Sequence, residues 1–385
     1  MLNCLYISRY APDRSPTDPY TGLPWFLSEN TSLSGFWGKP QRGLVAFAEK
    51  CCQIIEVDSH GKGWLSRSDF LRKILSEVEK PDAILCGIDE YSLGLGLLVS
   101  RIKGGRVFAI IEDPPFTTRY QRIKGMRGSI EKNLRTRLLR NLLDRCTGFF
   151  CFIEKEVLRE IGLRKVPPYQ MMNGASRVAI NWAQKNGPGD HSTGTFTVGF
   201  VGAVAQRQGM EGLLEIVALA KKEERNLRLR LIGPIEPDYV PAFQRQIREL
   251  NLDSCTDVTG WLPYPRMLEQ LQGCNVGVYC NPPTNWYRVA QPLKICEYLA
   301  LGKPTVAWDY AGTRRLLNHG QFGILIPSGN KQAFAEALIS LNEPAINDSF
   351  RSAILAAVRD GWGSQYWYGK VLQTIEEKCK EKFNG

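Results

Sequence analysis

The chain has 385 residues, 43% of them hydrophobic and 23% charged, with a formal net charge of +10. At about 100–200 residues per domain this length suits two domains, and the composition is that of a globular protein able to bury a sizeable core. Eleven cysteines without a CxxC pair and three histidines (His60, His191, His319) argue against a disulfide scaffold and a multi-histidine metal site, and for buried free thiols.

No apolar run reaches the roughly 18–20 residues of a membrane span. The first residues, MLNCLYISRY, lack the long apolar stretch and cleavage site of a signal peptide, so the expected location is cytoplasmic. In chain order, LNCLYIS, CQIIEVD, DAILCGI, RVFAIIE and GFFCFI are short apolar runs suited to buried parallel strands. Helical patterns lie between them, at 66–80 and 135–146. In the second, Leu134, Leu138 and Leu142 recur at i, i+4 and i+8 and predict the core-facing stripe, with Arg137 and Arg140 elsewhere. RVFAIIEDPPF ends with Glu112 and Asp113 before two prolines, which stop the strand and leave both carboxylates at its C-terminal edge. A turn role for them, capping backbone amides, competes.

From Arg119 to Arg145 there are nine basic residues (119, 122, 124, 127, 132, 135, 137, 140 and 145) against Glu131 and Asp144. A solvated face is the simplest reading. Interleaved with Leu and Ile, the block also suits an anionic membrane surface, at about 1 kcal/mol per engaged basic residue. Nucleic acid is not expected as a partner, since neither RNP-type aromatics nor a helix-turn-helix pattern is present.

PYQMMNGAS closes the first set of strands, and a polar, Gly-rich stretch follows. A second set then runs FTVGFVG, LRLRLIG, TDVTG, VGVYC, PTVAWD and GILIP, separated by helices such as MEGLLEIVALAKK, VPAFQRQIREL and KICEYLAL. The expected fold class is therefore α/β, with two Rossmann-like, doubly wound parallel-sheet domains facing a central cleft. The expected bounds are 1–178, a linker at 179–195, a second domain at 196–358, and a C-terminal helix at 359–385 crossing back to the first domain.

GFVGAVAQRQGMEGLLE, LIGP, VTGWLPYPRMLEQLQGCNVGVY, PLKICEYLALGKPTVAWD and GILIPSGNKQAFAEAL occur in the order and spacing of family 4 glycosyltransferases of the GT-B fold, which residues 196–341 resemble. The resemblance implies transfer of a sugar from a UDP- or GDP-sugar, as substrate rather than cofactor, to a glycan or lipid-linked acceptor. It further implies retention of configuration and no metal; with the basic block from Arg119 to Arg145, the expected location is cytoplasmic with peripheral attachment to the inner face of the membrane. On it, Glu297 matches the second glutamate of the family's E-x7-E motif and holds the ribose hydroxyls, as an acceptor-only carboxylate can. Lys294 and the start of its helix face the donor phosphates. Backbone amides at Ala290, Gln291, Pro292 and Leu293 would surround the donor sugar. The alternative from the residues alone is an exposed Glu297 and a solvated Lys294.

The match has departures. Val289 stands where the motif has its first glutamate, and Ala203 and Gln208 stand where the family has the Arg and Lys of its glycine-rich loop. Gly202 keeps the backbone open there, and Arg207 is either a phosphate contact or a solvated loop residue. Trp261 either stacks on the base or packs in the core. Asp113, Glu112 and His60 are the candidates for the acceptor side, with Asp113 as base. The other class of function is a GT-B-shaped binding or scaffold subunit, which Val289, Ala203 and Gln208 favour. A non-transferring enzyme such as an epimerase would require further acid–base residues.

Overall fold

The computed structural model describes residues 1–8, 19–38, 54–57, 71–72, 74–111, 125–153, 158, 168–187, 194–284 and 286–381. It divides into two units, Met1–Met172 with Gln365–Gly385, and Asn173–Ser364. Each is a doubly wound parallel sheet. The first sheet contains β1 (Asn3–Ser8), β2 (Ser32–Gly38), β3 (Ile54–Val57), β4 (Ala83–Gly87), β5 (Arg106–Ile111), β6 (Gly148–Cys151) and β7 (Pro168–Gln170), in the order β3-β2-β1-β4-β5-β6-β7. The second contains β8 (Phe196–Val201), β9 (Leu227–Ile232), β10 (Thr256–Val258), β11 (Val276–Tyr279), β12 (Thr305–Trp308) and β13 (Gly323–Ile326), in the order β10-β9-β8-β11-β12-β13.

Strands such as β4 and β8 are buried along their whole length, which is why they read as continuous apolar runs. In both sheets the strand order reverses beside the first strand, between β1 and β4 and between β8 and β11. Connections diverge to opposite faces at such a point and leave a crevice at the carboxyl ends of the strands.

The core of the first unit gathers Tyr6, Leu85, Phe108, Ile110 and Phe150 with Tyr368, Val371 and Ile375 of the helix Ser364–Lys380. Within the second unit Ala175 and Gly363 form an isolated bridge, and a β-carbon at Gly174 would lie 2.6 Å from the Gly363 carbonyl carbon, so that crossing admits little but glycine.

Two expectations are corrected. Part of the proposed linker is a helix, Arg177–Asn186, capped by the Ser176 hydroxyl accepting from the Ala179 N–H at 3.1 Å. The apolar stripe of the helix Gly125–Leu143 is also not the one the spacing suggested. Leu139 and Leu143 are buried, whereas Ile130 is 58%, Leu134 61% and Leu138 49% exposed. At 100° per residue Leu139 and Leu143 lie opposite the Ile130–Leu134–Leu138 row, so this helix is apolar on two faces and covered on one. Of the eleven cysteines, the nine among the described residues are free and eight of those are buried.

Candidate functional site

The loops that follow β8 and β11 flank the reversal point of the second sheet. After β8 the chain passes Gly202 at φ 126°, where a β-carbon on the adjoining Gly233 would lie 2.1 Å from the Gly202 carbonyl oxygen. It then forms a single 3-10 turn, Gln206–Gln208, and leaves it through Gly209 in the left-handed region at φ 76°. A side chain at Gly209 would collide with the Cys280 carbonyl oxygen, 2.4 Å from the β-carbon position. Glycine at 209 thus seats the first loop directly on the end of β11.

The helix Leu293–Ala300 lies behind these loops. Its last six residues, Ile295 to Ala300, are all buried, Glu297 among them at 6% exposure. Tyr298 anchors the helix: its hydroxyl accepts from the Val201 N–H at 3.1 Å and donates to the Val278 carbonyl at 3.2 Å. A β-carbon at Gly277 would fall 2.3–2.7 Å from the Tyr298 ring, so the small residue in VGVY is what admits the ring. One tyrosine therefore ties together the carboxyl ends of β8 and β11, on which the site is built.

Lys294 is half-buried, with its ammonium 4.0 Å from the centre of the Phe200 ring, a cation–π arrangement worth about 0.5–2 kcal/mol. It donates to Gln208 Oε1 at 3.1 Å, and the same oxygen accepts from Asn281 Nδ2 at 3.0 Å. Burial pulls the Lys294 ammonium down to about 8, with Cys280 and Glu297 opposing the shift and Arg207 adding to it. A β-carbon at Gly202 would sit 3.3 Å from the Lys294 Nζ, which places that cation against the open backbone of the first loop.

The remaining residues singled out in the sequence fall as follows. Gln291 is buried, and its side chain accepts from the Asn173 N–H at 2.7 Å while its carbonyl accepts from Asn173 Nδ2 at 3.0 Å. Pro292 caps the helix, which opens with Leu293, and the Ala290 N–H closes a turn on the Trp286 carbonyl at 3.0 Å. The Ala290 carbonyl is in turn approached by Gly312, where a β-carbon would lie 2.0 Å from it. Arg207 is exposed and paired with Glu236, an arrangement worth about 0–1 kcal/mol. Trp261 is 59% exposed, which excludes the core-packing alternative. Burial of Glu297 excludes its exposed alternative, while Lys294 is half-buried against Phe200 and Gln208. Asp113, Glu112 and His60 lie outside the described residues.

Sequence reasoning missed Asn281 and Tyr298, and read Gln208 as a loss. A signal for Asn281 existed: it is the first polar residue past the buried strand β11, beside the reversal and ahead of two prolines.

Comparison with known proteins bears on this half of the chain. Residues 195–343 match the family model described as Glycosyl transferases group 1. D-inositol 3-phosphate glycosyltransferase of Pseudarthrobacter chlorophenolicus is 26% identical over 182 residues, which are 45% of this chain and 41% of that one. Phosphatidyl-myo-inositol mannosyltransferase of Mycobacterium leprae is 38% identical over 80 residues, 21% of this chain and 20% of that one. The chain thus spans less than half the length of these curated relatives. The fold is shared over nearly all of the chain. HepE of Anabaena, solved with UDP and glucose, superposes with a TM-score of 0.71 at 16% identity, covering 97% of this chain and 100% of that one. Sucrose-phosphate synthase of Thermosynechococcus elongatus gives 0.73 at 15% identity, covering 98% and 99%. Such neighbours show the fold, two GT-B-like parallel-sheet domains, and the similarity to the group 1 family lies over the second sheet.

Proposed function

We propose that this protein is a glycosyltransferase that moves a sugar from a nucleotide-activated donor to an acceptor hydroxyl in glycan, polysaccharide or glycolipid biosynthesis. The observation that carries this reading is the pairing of a buried carboxylate and a half-buried ammonium, Glu297 and Lys294, one turn apart on the helix at the sheet reversal. A carboxylate accepts from two neighbouring ribose hydroxyls at once. The ammonium, with the N-terminus of the helix, offsets the negative charge that builds on a departing diphosphate. UDP is the first nucleotide to test, because HepE was solved with UDP. Retention of configuration and independence from a metal belong to the same proposal, resting on the resemblance of the PLKxxEY block. Exposed Trp261 is assigned to the base and the exposed Arg207 to the phosphates. The backbone at Gly202 and from Ala290 to Leu293 is assigned to the diphosphate and sugar.

The test is thermal stabilisation of the wild type and of Glu297→Ala by a panel of nucleoside diphosphates and nucleotide sugars. A ligand at about 100 times its Kd adds about 2.7 kcal/mol of stability, well within a melting measurement. A shift in the wild type that the variant loses supports the assignment. Absence of any shift in the wild type moves the scaffold reading ahead. The anomeric form of the product, read by NMR, and activity in excess chelator test the two finer claims.

We further propose peripheral attachment to an anionic bilayer through the helix Gly125–Leu143. No helix among the described residues is long and apolar enough to cross a membrane. This helix instead presents the uncovered Ile130–Leu134–Leu138 row, with Arg135 and Arg137 to either side of it. The neighbouring helix Glu90–Lys103 adds exposed Leu98 and Ile102 beside Arg101 and Lys103. An apolar row rimmed by arginines suits the boundary between headgroups and acyl chains. Sedimentation with phosphatidylglycerol vesicles is expected, and is expected to fail with phosphatidylcholine alone. Equal binding to both, or self-association blocked by Leu134→Ser, refutes it.

A further inference from the structure

We infer that Gln208 and Asn281 are positioning residues of the donor site: together they hold the Lys294 ammonium against the Gly202 loop, a task for which position 208 requires a neutral acceptor rather than a second cation. The inference rests on the nucleotide-binding reading proposed above, and it reverses the meaning of a feature that the sequence presents as damage. Where the resemblance expects a lysine, Gln208 is part of the machinery.

The hydrogen-bond inventory leaves one arrangement. A lysine ammonium can only donate, so the Gln208 amide must turn its oxygen toward Lys294, at 3.1 Å. That oxygen takes its second hydrogen from Asn281, at 3.0 Å, so Asn281 must present its nitrogen. Asn281 Oδ1 is then the atom left over, and it is a buried oxygen with no partner among the described residues. An orphan of this kind costs free energy. It is retained in an otherwise well-tied residue, whose own carbonyl accepts from the Tyr310 hydroxyl at 3.0 Å. The backbone holds the two amides in register, because Gly209, next to Gln208, packs on the Cys280 carbonyl, next to Asn281.

The groups that face Lys294 come from four directions. Glu297 is on its own helix, Cys280 follows β11, Arg207 stands on the same turn as Gln208, and the rings of Phe200 and Tyr279 belong to β8 and β11. Burial already disfavours the charged form, and Arg207 adds to that. A second ammonium at 208 would stand within hydrogen-bonding distance of the first, with no acceptor between them. It would drive a proton off Lys294 instead of adding a charge to the site. The neutral amide keeps the one cation protonated and aimed.

Two measurements test this, and they fail independently. The first is the titration of Lys294 in the unliganded protein, followed by NMR on nitrogen-15-lysine samples and assigned with Lys294→Arg. The wild type is expected to titrate near 8, Gln208→Lys and the near-isosteric Gln208→Met lower, and Gln208→Glu higher. Asn281→Ala is expected to broaden or move the same resonance without touching the lysine. The second is UDP binding by calorimetry between pH 6.5 and 9.5. Wild-type affinity is expected to hold below about 8 and to fall by up to about tenfold per pH unit above it. Gln208→Lys is expected to bind UDP at least about fivefold more weakly at pH 7.5 despite its added charge, with Gln208→Met as the control that adds none. If Lys294 titrates alike in all variants, or if Gln208→Lys binds UDP more tightly, the positioning role is wrong. If the NMR shifts appear but no nucleoside diphosphate binds the wild type, the amide clamp stands and the donor reading falls.

Discussion

Two helices drew attention in the sequence for mixing charge with apolar residues, and the structure treats them in opposite ways. Leu293–Ala300 is only eight residues long, yet six consecutive residues are buried, including a carboxylate. Gly125–Leu143 has nineteen residues and turns a complete apolar row outward. In the first, burial works against the charge, and Lys294 is held there by the Phe200 ring and the Gln208 amide. In the second, exposure works against the leucines, and the arginines beside them suggest what covers the row. Periodicity finds an apolar face. It does not say which face has a neighbour.

The comparison breaks most directly at Leu139. If the buried and exposed rows are assigned correctly, Leu139→Ala removes core contacts and leaves a cavity, costing about 2–5 kcal/mol in urea unfolding of the first unit. Leu134→Ser on the opposite face is expected within about 0.5 kcal/mol of the wild type, while vesicle binding drops. Equal losses from the two substitutions would mean that the outward row is covered after all.

The next effect sharpens the other helix. Tyr298→Phe deletes one hydroxyl but orphans the Val201 N–H and the Val278 carbonyl, each buried at a strand end. An unpaired buried group costs about 1–3 kcal/mol, so unfolding is expected to lose at least that much and nucleotide affinity to fall with it. Gly277→Ala is expected to resemble it, since the added methyl meets the same ring at 2.3–2.7 Å. A folded, fully stable Gly277→Ala protein would show that the helix has room to slide.

These particulars also show what was legible beforehand. All six strands of the second sheet are found: four read as apolar runs, β9 as an alternating LRLRLI, and β10, only TDV, from its place before the Gly260 turn. Strand β2, SLSGFWG, was missed because two glycines and two serines hide it; its pairing with β1, from Asn3–Ser32 to Ser8–Trp37, is a tertiary fact. Glu297 and Lys294 could be picked out because a charge inside an apolar helix is locally odd. Gln208 could not be understood locally at all, because its meaning lies in hydrogen bonds to residues 73 and 86 positions away.

The smallest effect separates two lysines pulled down by burial, Lys303 and Lys294. Lys303 is buried, donates to the Gln272 carbonyl at 2.7 Å, and is pulled down to about 7 chiefly by burial, with Arg351 adding to the shift. Lys294 is pulled only to about 8. An unfolded lysine keeps its proton to about 10.4, so between about 7 and that value the unfolded chain binds more protons than the folded one. Stability must then rise with pH, by up to about 1.4 kcal/mol per pH unit for one lysine. The window closes from above. Buried thiols of the same unit such as Cys280, pushed up to about 12, and Cys274, to about 11, keep protons that the unfolded chain releases, so stability turns down past about pH 9. Denaturant titrations between pH 7 and 8.5 are therefore expected to show a rising stability of the second unit. In Lys303→Met that slope should flatten whatever the change in absolute stability, and UDP affinity should keep its own fall near pH 8. A Lys303→Met protein that loses the pH dependence of UDP binding would mean that the two lysines act as one group, and that the charge of the donor site is set deeper in the fold than the helix Leu293–Ala300.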